Sequence, residues 1–136
     1  MTAPTRSTDT AEGVRATIAA YCQALDDGRT DDLVALFTAD GSSTLPGMDP
    51  VVGTEALHAL YQTVVPDGPQ RHLVVNTLVT ADRGDEVEAF SDLVFLKLLG
   101  GAWAVPLVGR YADVLRNVDG RWRFASRVLT FTMAGS

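Results

Sequence analysis

The chain has 136 residues, 46% of them apolar and 21% charged, which is the size and composition of one globular domain able to bury a core without disulfide or metal staples. Lys+Arg 11 against Asp+Glu 17 gives a net charge of -6, and no basic cluster overrides it, so nucleic acid and anionic lipid are excluded as partners. The apolar runs, such as Leu73-Val74-Val75, are too short to span a bilayer.

Residues 1–8 contain no apolar stretch, so they read as a disordered lead-in and not as a secretory signal, ahead of a single domain over 9–136. The lone cysteine, Cys22, has no intrachain partner, which excludes a disulfide framework and a multi-cysteine metal site and fits a reduced, cytoplasmic setting. Asp9 is placed to cap a first helix, with Glu12 three residues on. Val14, Ile18, Tyr21 and Leu25 then recur at helical spacing as far as Asp26, and Gly28 stops the helix. Thr30 is read as the cap of a second helix running through Leu33, Val34, Leu36 and Phe37 and ended by Asp40-Gly41. Residues 42–52, with Pro46, Gly47 and Pro50, read as a loop holding one short edge strand at most. Thr54-Glu55 opens a third helix with Leu57, Leu60, Tyr61 and Val64 on one face, and Pro66-Asp67-Gly68-Pro69 breaks it.

From Arg71 the pattern becomes β-branched and alternating. Four long strands are predicted: Leu73 to Thr80, Val87 to Leu98, Trp103 to Leu115 and Trp122 to Met133. Their short connections, including Gly100-Gly101 and Asp119-Gly120, predict an antiparallel meander. Helices followed by strands give an α+β fold, with the helices packed on one face of the sheet.

Several short stretches, taken in order, resemble the SnoaL-like branch of the nuclear-transport-factor-2-like superfamily. They are Tyr21 to Gly28, Leu36 to Gly41, Gly53, Arg71 to Asn76, Gly109 to Asp113, Asp119 to Arg123, and Arg127. The resemblance covers nearly the whole chain and implies a cone-shaped α+β barrel, three N-terminal helices on a curved antiparallel sheet enclosing a pocket for a small molecule. The superfamily includes polyketide cyclases, scytalone and bile-acid dehydratases, ketosteroid isomerase, epoxide hydrolases and inert binding subunits, so fold alone does not fix activity. In the bile-acid dehydratase type a helical Tyr is followed five residues later by an Asp, and a His comes from the first long strand. Tyr21, Asp26 and His72 match that set, and scytalone dehydratase similarly has an Asp and a His at what correspond to Asp26 and His72. The ketosteroid isomerase pattern fits less well, because Leu45 stands at its general-base position and Ala112 near its second acid.

The resemblance therefore implies His72 as general base and acid, Asp26 as its orienter and Tyr21 as donor to a substrate carbonyl. Imidazole is the side chain suited to proton transfer near neutrality. The alternatives are a structural His at a strand start, a solvated acid pair Asp26-Asp27 and a core phenol. His58, on the polar side of the third helix, reads as a surface residue. Strand parity puts Asn76 on the face of His72, roughly 13 Å away. Asp92 lies in an otherwise apolar strand, either on its polar side or in the pocket, and Arg127 pairs with a carboxylate in the pocket or across the sheet. Asn76, Asp92 and Arg127 are thus the substrate-binding candidates. With two His and one Cys, neither a metal nor a cofactor is expected. The expected activity is a cofactor-independent dehydratase, isomerase or cyclase acting on a small, hydrophobic, polyketide-like molecule. The alternatives are a non-catalytic pocket protein, or an epoxide hydrolase using Asp26 and Asp92. Apolar residues on both parities, as in Leu93-Val94-Phe95-Leu96, predict a homodimer or higher homo-oligomer.

Overall fold

The computed structural model describes residues 3–132, with side chains from residue 9 onward. Helices α1 (Ala3–Asp26), α2 (Thr30–Val34) and α3 (Thr54–Gln62) pack against a curved six-stranded sheet of β1 (Phe37–Thr44), β2 (Val51–Val52), β3 (Gln70–Asp82), β4 (Glu86–Leu99), β5 (Ala102–Val118) and β6 (Arg121–Phe131). The strand order is β2-β1-β6-β5-β4-β3. Among the described residues no helix is long and apolar enough to cross a membrane.

The α+β class and the four-stranded antiparallel meander of β3 to β6 are as the alternation predicts. Helix α1 presents Val14, Ile18, Tyr21 and Leu25 to the core, the 3.6-residue stripe of its sequence. It begins at Ala3 and not at the expected Asp9 cap, so the lead-in predicted for 1–8 is helical from Ala3, while Met1 and Thr2 fall outside the described residues. The strand expected to reach Met133 is described to Phe131, Met133 being outside the described residues as well.

The N-terminal half departs from expectation in one place. Helix α2 stops at Val34, its cap position is Arg29 with no side-chain capping bond, and Phe37–Thr44 is a strand. β1 runs parallel to β6, pairing Phe37 with Phe124 and Ser43 with Arg127. A short apolar run cannot reveal its period, and here pairing with a strand 80-odd residues away in sequence decides it. Gly41, read as a helix stop, instead sits at the irregularity of β1, where a Cβ would come 2.8 Å from the Phe124 carbonyl oxygen. The element order is therefore ααββαββββ, and the sheet is mixed at β1.

Candidate active site

Asp26 is the last residue of α1, and a Schellman ending holds it there: Arg29 N–H donates to the Ala24 carbonyl at 2.8 Å, Gly28 N–H donates to Leu25 at 3.2 Å, and Gly28 takes φ 71°. The helix end brings the carboxylate against the start of β3. There Asp26 Oδ1 meets His72 Nδ1 at 2.6 Å and accepts from Gln70 Nε2 at 3.1 Å, while Oδ2 accepts the His72 backbone N–H at 2.8 Å. Burial opposes ionisation of this carboxyl, but the hydrogen bonds from the His72 side chain and backbone outweigh it and hold Asp26 below the usual carboxylate range. The side chains of His72 and Asp26 are 12% and 5% exposed, and the His72 ring lies 4.6 Å from that of Phe95.

His72 lines two cavities. The inner one, 370 Å³, lies inside the curve of the sheet among Tyr21, Leu93, Phe95, Leu107 and Tyr111, with Leu45 and Met48 also on its wall. Its size and apolar lining with a few polar groups suit a small organic molecule. The other, 660 Å³, is a groove between α1 and the first half of β3, and Asp26 lines only this one.

Tyr21 is 1% exposed, and its hydroxyl shares a 2.8 Å hydrogen bond with that of Tyr61, which shares another of 2.8 Å with Ser43 Oγ. Burial raises the Tyr21 phenol well above its usual range and raises Tyr61 too, so both remain protonated. If Ser43 donates to Tyr61 and Tyr61 to Tyr21, the Tyr21 proton is left for an acceptor in the cavity. Tyr61, Ser43 and Gln70 were not anticipated as site residues. The signal for Tyr61 was a phenol on the buried face of the third helix; Ser43 was hidden in a stretch read as loop, and Gln70 carried none.

Of the other candidates, Asn76 lines the α1–β3 groove but not the inner cavity, and Asp92 and Arg127 line neither. The β3–β4 register shifts between Val75 and Leu78, and Asn76 has φ 57°, the mark of a bulge that reverses strand parity. Asn76 is therefore not on the face of His72. Its Nδ2 donates to Asp92 Oδ2 at 2.9 Å, and Arg110 holds Asp92 Oδ1 at 2.8 Å. Asp92 pairs in register with Val75 while His72 pairs with Phe95, so Asp26 and Asp92 do not face one cavity and cannot hold a water between them for epoxide opening. Arg127 does not line the inner cavity: it is 1% exposed and lies behind it, its Nε 3.1 Å from Oδ1 of cross-strand Asp113. Its guanidinium carbon is 3.5 Å from the Tyr111 ring centroid and 4.2 Å from that of Tyr21. The ion pair lacks hydrogen-bond geometry. Burial pushes Asp113 up to about 6 against the pull of Arg127. Burial likewise works against the charge of Arg127, but Asp113 together with Tyr111, Tyr21 and Cys22 outweighs it and keeps Arg127 above the ordinary arginine value. His58, as expected, is at the surface, 43% exposed, with Nε2 2.8 Å from Asp31. Among the described residues no three of His, Cys, Asp and Glu converge as metal ligands.

Residues 6–128 match the SnoaL-like domain family. Among solved structures, the fold is similar to that of an NTF2-like protein with a cystatin-like fold from Novosphingobium aromaticivorans (25% identity, 98% of this chain and 88% of that one, TM-score 0.85). It is also similar to a Catenulispora acidiphila protein in complex with S-DNPA (27% identity, 88% and 91%, TM-score 0.79). A candidate scytalone dehydratase from N. aromaticivorans (20% identity, 96% and 89%, TM-score 0.84) shares the fold. No curated protein matches the chain.

Proposed function

The chain belongs to the SnoaL-like domain family, and from that premise we propose that it is a cofactor-independent lyase or isomerase, a dehydratase or cyclase, acting on a small cyclic or polyketide-like ketone. The observation that carries this reading is the His72–Asp26 pair, bonded at 2.6 Å, on the wall of a 370 Å³ apolar cavity that Tyr21 also lines. With Nδ1–H donated to Asp26, His72 keeps a free lone pair on Nε2 to take an acidic α-proton from the substrate. The electron pair left behind moves onto the substrate carbonyl, and Tyr21 donates to the resulting oxyanion. Asp26 fixes the imidazole tautomer and stabilises the imidazolium, as a carboxylate does for a paired histidine. When the electron pair returns, the bond to a β-hydroxyl breaks. The imidazolium hands its proton to the departing oxygen, and water leaves.

The Catenulispora relative was solved with a bound ligand, which is consistent with a ligand-holding cavity here. We assign the protein to the cytoplasm as a homodimer joined through the sheet face that exposes Leu78, Phe90 and Val108. A monomer mass by light scattering at micromolar concentration overturns the dimer.

The test is proton chemistry on a panel of cyclic β-hydroxy ketones, followed by NMR in D₂O for α-deuteration and for loss of water. Wild type is expected to turn over at least one member. Asp26→Asn and His72→Ala each lose about 10²–10⁴-fold while retaining ligand binding, and the double variant loses little more than either alone. Ligands that bind wild type with neither exchange nor dehydration would establish a non-catalytic binding protein instead.

A further inference from the structure

Among the described residues, Arg29, Arg83, Lys97, Arg110, Arg116 and Arg127 each have a carboxylate partner, whereas Arg15, Arg71, Arg121 and Arg123 have none. The four are not scattered. Arg15 and Arg71 line the 660 Å³ groove between α1 and β3, and Arg121 and Arg123 line a smaller groove on the other flank of α1. In a chain with 17 acids to 11 bases, the cations left unneutralised by carboxylates are thus gathered where α1 meets the sheet.

The α1–β3 groove has the stronger case, because its walls differ along its length. Its middle is apolar, formed by Ile18, Ala19, Cys22 and Val74. Burial raises the Cys22 thiol to about 11, so it stays neutral and belongs to that apolar wall. At one end Arg15 reaches across to the Thr77 carbonyl at 3.3 Å with most of its donors unused. At the other end lie Asp26 and His72, where the carboxylate charge is already taken up by three donors, and Arg71, whose guanidinium donates to the Gln70 carbonyl, lines the same end. The helical rise puts Arg15 and Asp26 about 16 Å apart, so a ligand bridging the two ends is extended.

We infer that this groove binds a small organic acid with an elongated apolar body, its carboxylate at Arg15 and its body lying along Ile18, Cys22 and Val74 toward His72. Guanidinium is the group that recognises carboxylate in planar, two-bond fashion, and the apolar middle of the groove supplies the rest of the contact. A ligand seated here lies in the groove that His72 and Asp26 border, not in the inner cavity. Binding at this groove does not depend on the catalytic reading, since it requires no turnover.

Octanoate and its uncharged counterpart octan-1-ol are the probes, titrated into the ¹⁵N-labelled full chain and followed by amide shifts. Octanoate is expected to bind more tightly than octan-1-ol and to shift residues 15–26 and 71–77. Arg15→Ala should weaken octanoate about tenfold and leave octan-1-ol unchanged. Ala19→Trp, at an exposed helix position within the groove, should block both probes, with far-UV circular dichroism confirming the fold. Three results overturn the inference: no octanoate binding at millimolar concentration, equal octanoate affinity in wild type and Arg15→Ala, or shifts confined to the inner-cavity residues Leu107, Tyr111 and Leu129.

Discussion

Two acid–base pairs, Asp26–His72 and Asp113–Arg127, stand a few residues from the same cavity, and the protein treats them in opposite ways. The Asp26 carboxylate accepts three hydrogen bonds, and its histidine partner borders two cavities. Asp113 and Arg127 are 3% and 1% exposed, meet without hydrogen-bond geometry, and are sealed behind Tyr21, Tyr111 and Phe124, whose ring faces the guanidinium covers. A group that must exchange protons needs saturated orienting bonds and a way out. A group that holds rings in place needs only a counter-charge and exclusion of water.

The largest expected effect tests the sealed pair. Asp113→Ala leaves a buried guanidinium uncompensated and should cost roughly 3–5 kcal/mol in urea unfolding. Asp113→Leu combined with Arg127→Met should recover most of that loss, since a buried ion pair replaced by apolar groups of similar volume is often neutral. A double variant as unstable as Asp113→Ala would mean the pair contributes net stability.

Next comes the acid behaviour of the other pair. The folded value for Asp26 lies below the unfolded carboxylate value of about 3.9, so its contribution is complete above that value and is lost as pH falls through the lower, folded one. Urea midpoints for wild type and Asp26→Asn should therefore stay a fixed distance apart from about pH 5 downward until the carboxyl range, then converge in strong acid. Parallel curves throughout would mean that Asp26 is not held ionised by its partners.

Tyr21→Phe should cost about 1 kcal/mol, one hydrogen bond of the Ser43–Tyr61–Tyr21 chain, because Tyr61 keeps Ser43 as a partner. A much larger loss would show that the phenol also braces the cavity. The smallest effect belongs to the surface pair His58–Asp31, whose side chains are 43% and 91% exposed. Asp31→Ala should change stability by less than about 1 kcal/mol, checked by thermal melts in low and high salt.

The sequence made these regions legible to different degrees, for identifiable reasons. Tyr21, Ile18 and Leu25 announce the buried stripe of α1 because a helix repeats its pattern within a few turns, and the alternation of β3 to β6 is long enough to fix both strand type and pairing. The meeting of Asp26 with His72 was readable through resemblance, since nothing local to either residue encodes a contact across 46 positions. β1 was not readable, because its partner is β6 and its own eight residues contain Asp40-Gly41, which signals a stop when read alone. For Arg127 the sequence leaves open a carboxylate in the pocket or one across the sheet, and that it meets cross-strand Asp113 behind the cavity depends on depth, which strand parity does not give.

Parity also failed at Asn76, and that failure has a wider meaning. By adding one residue to the edge strand, the bulge divides β3 into two segments whose inside and outside are out of phase. The segment from Gln70 to Val75 holds the contacts to Asp26, and the segment from Thr77 to Asp82 begins with Thr77, which bonds Ser91 and accepts from Arg15. Asn76 works as a phase boundary between them. Removing that single residue would join Val75 directly to Thr77 in plain alternation, with Val74, Thr77 and Val79 still turned inward and Leu78 still opposite Phe90, so this is a place where the strand can lose a position without turning its inward set outward.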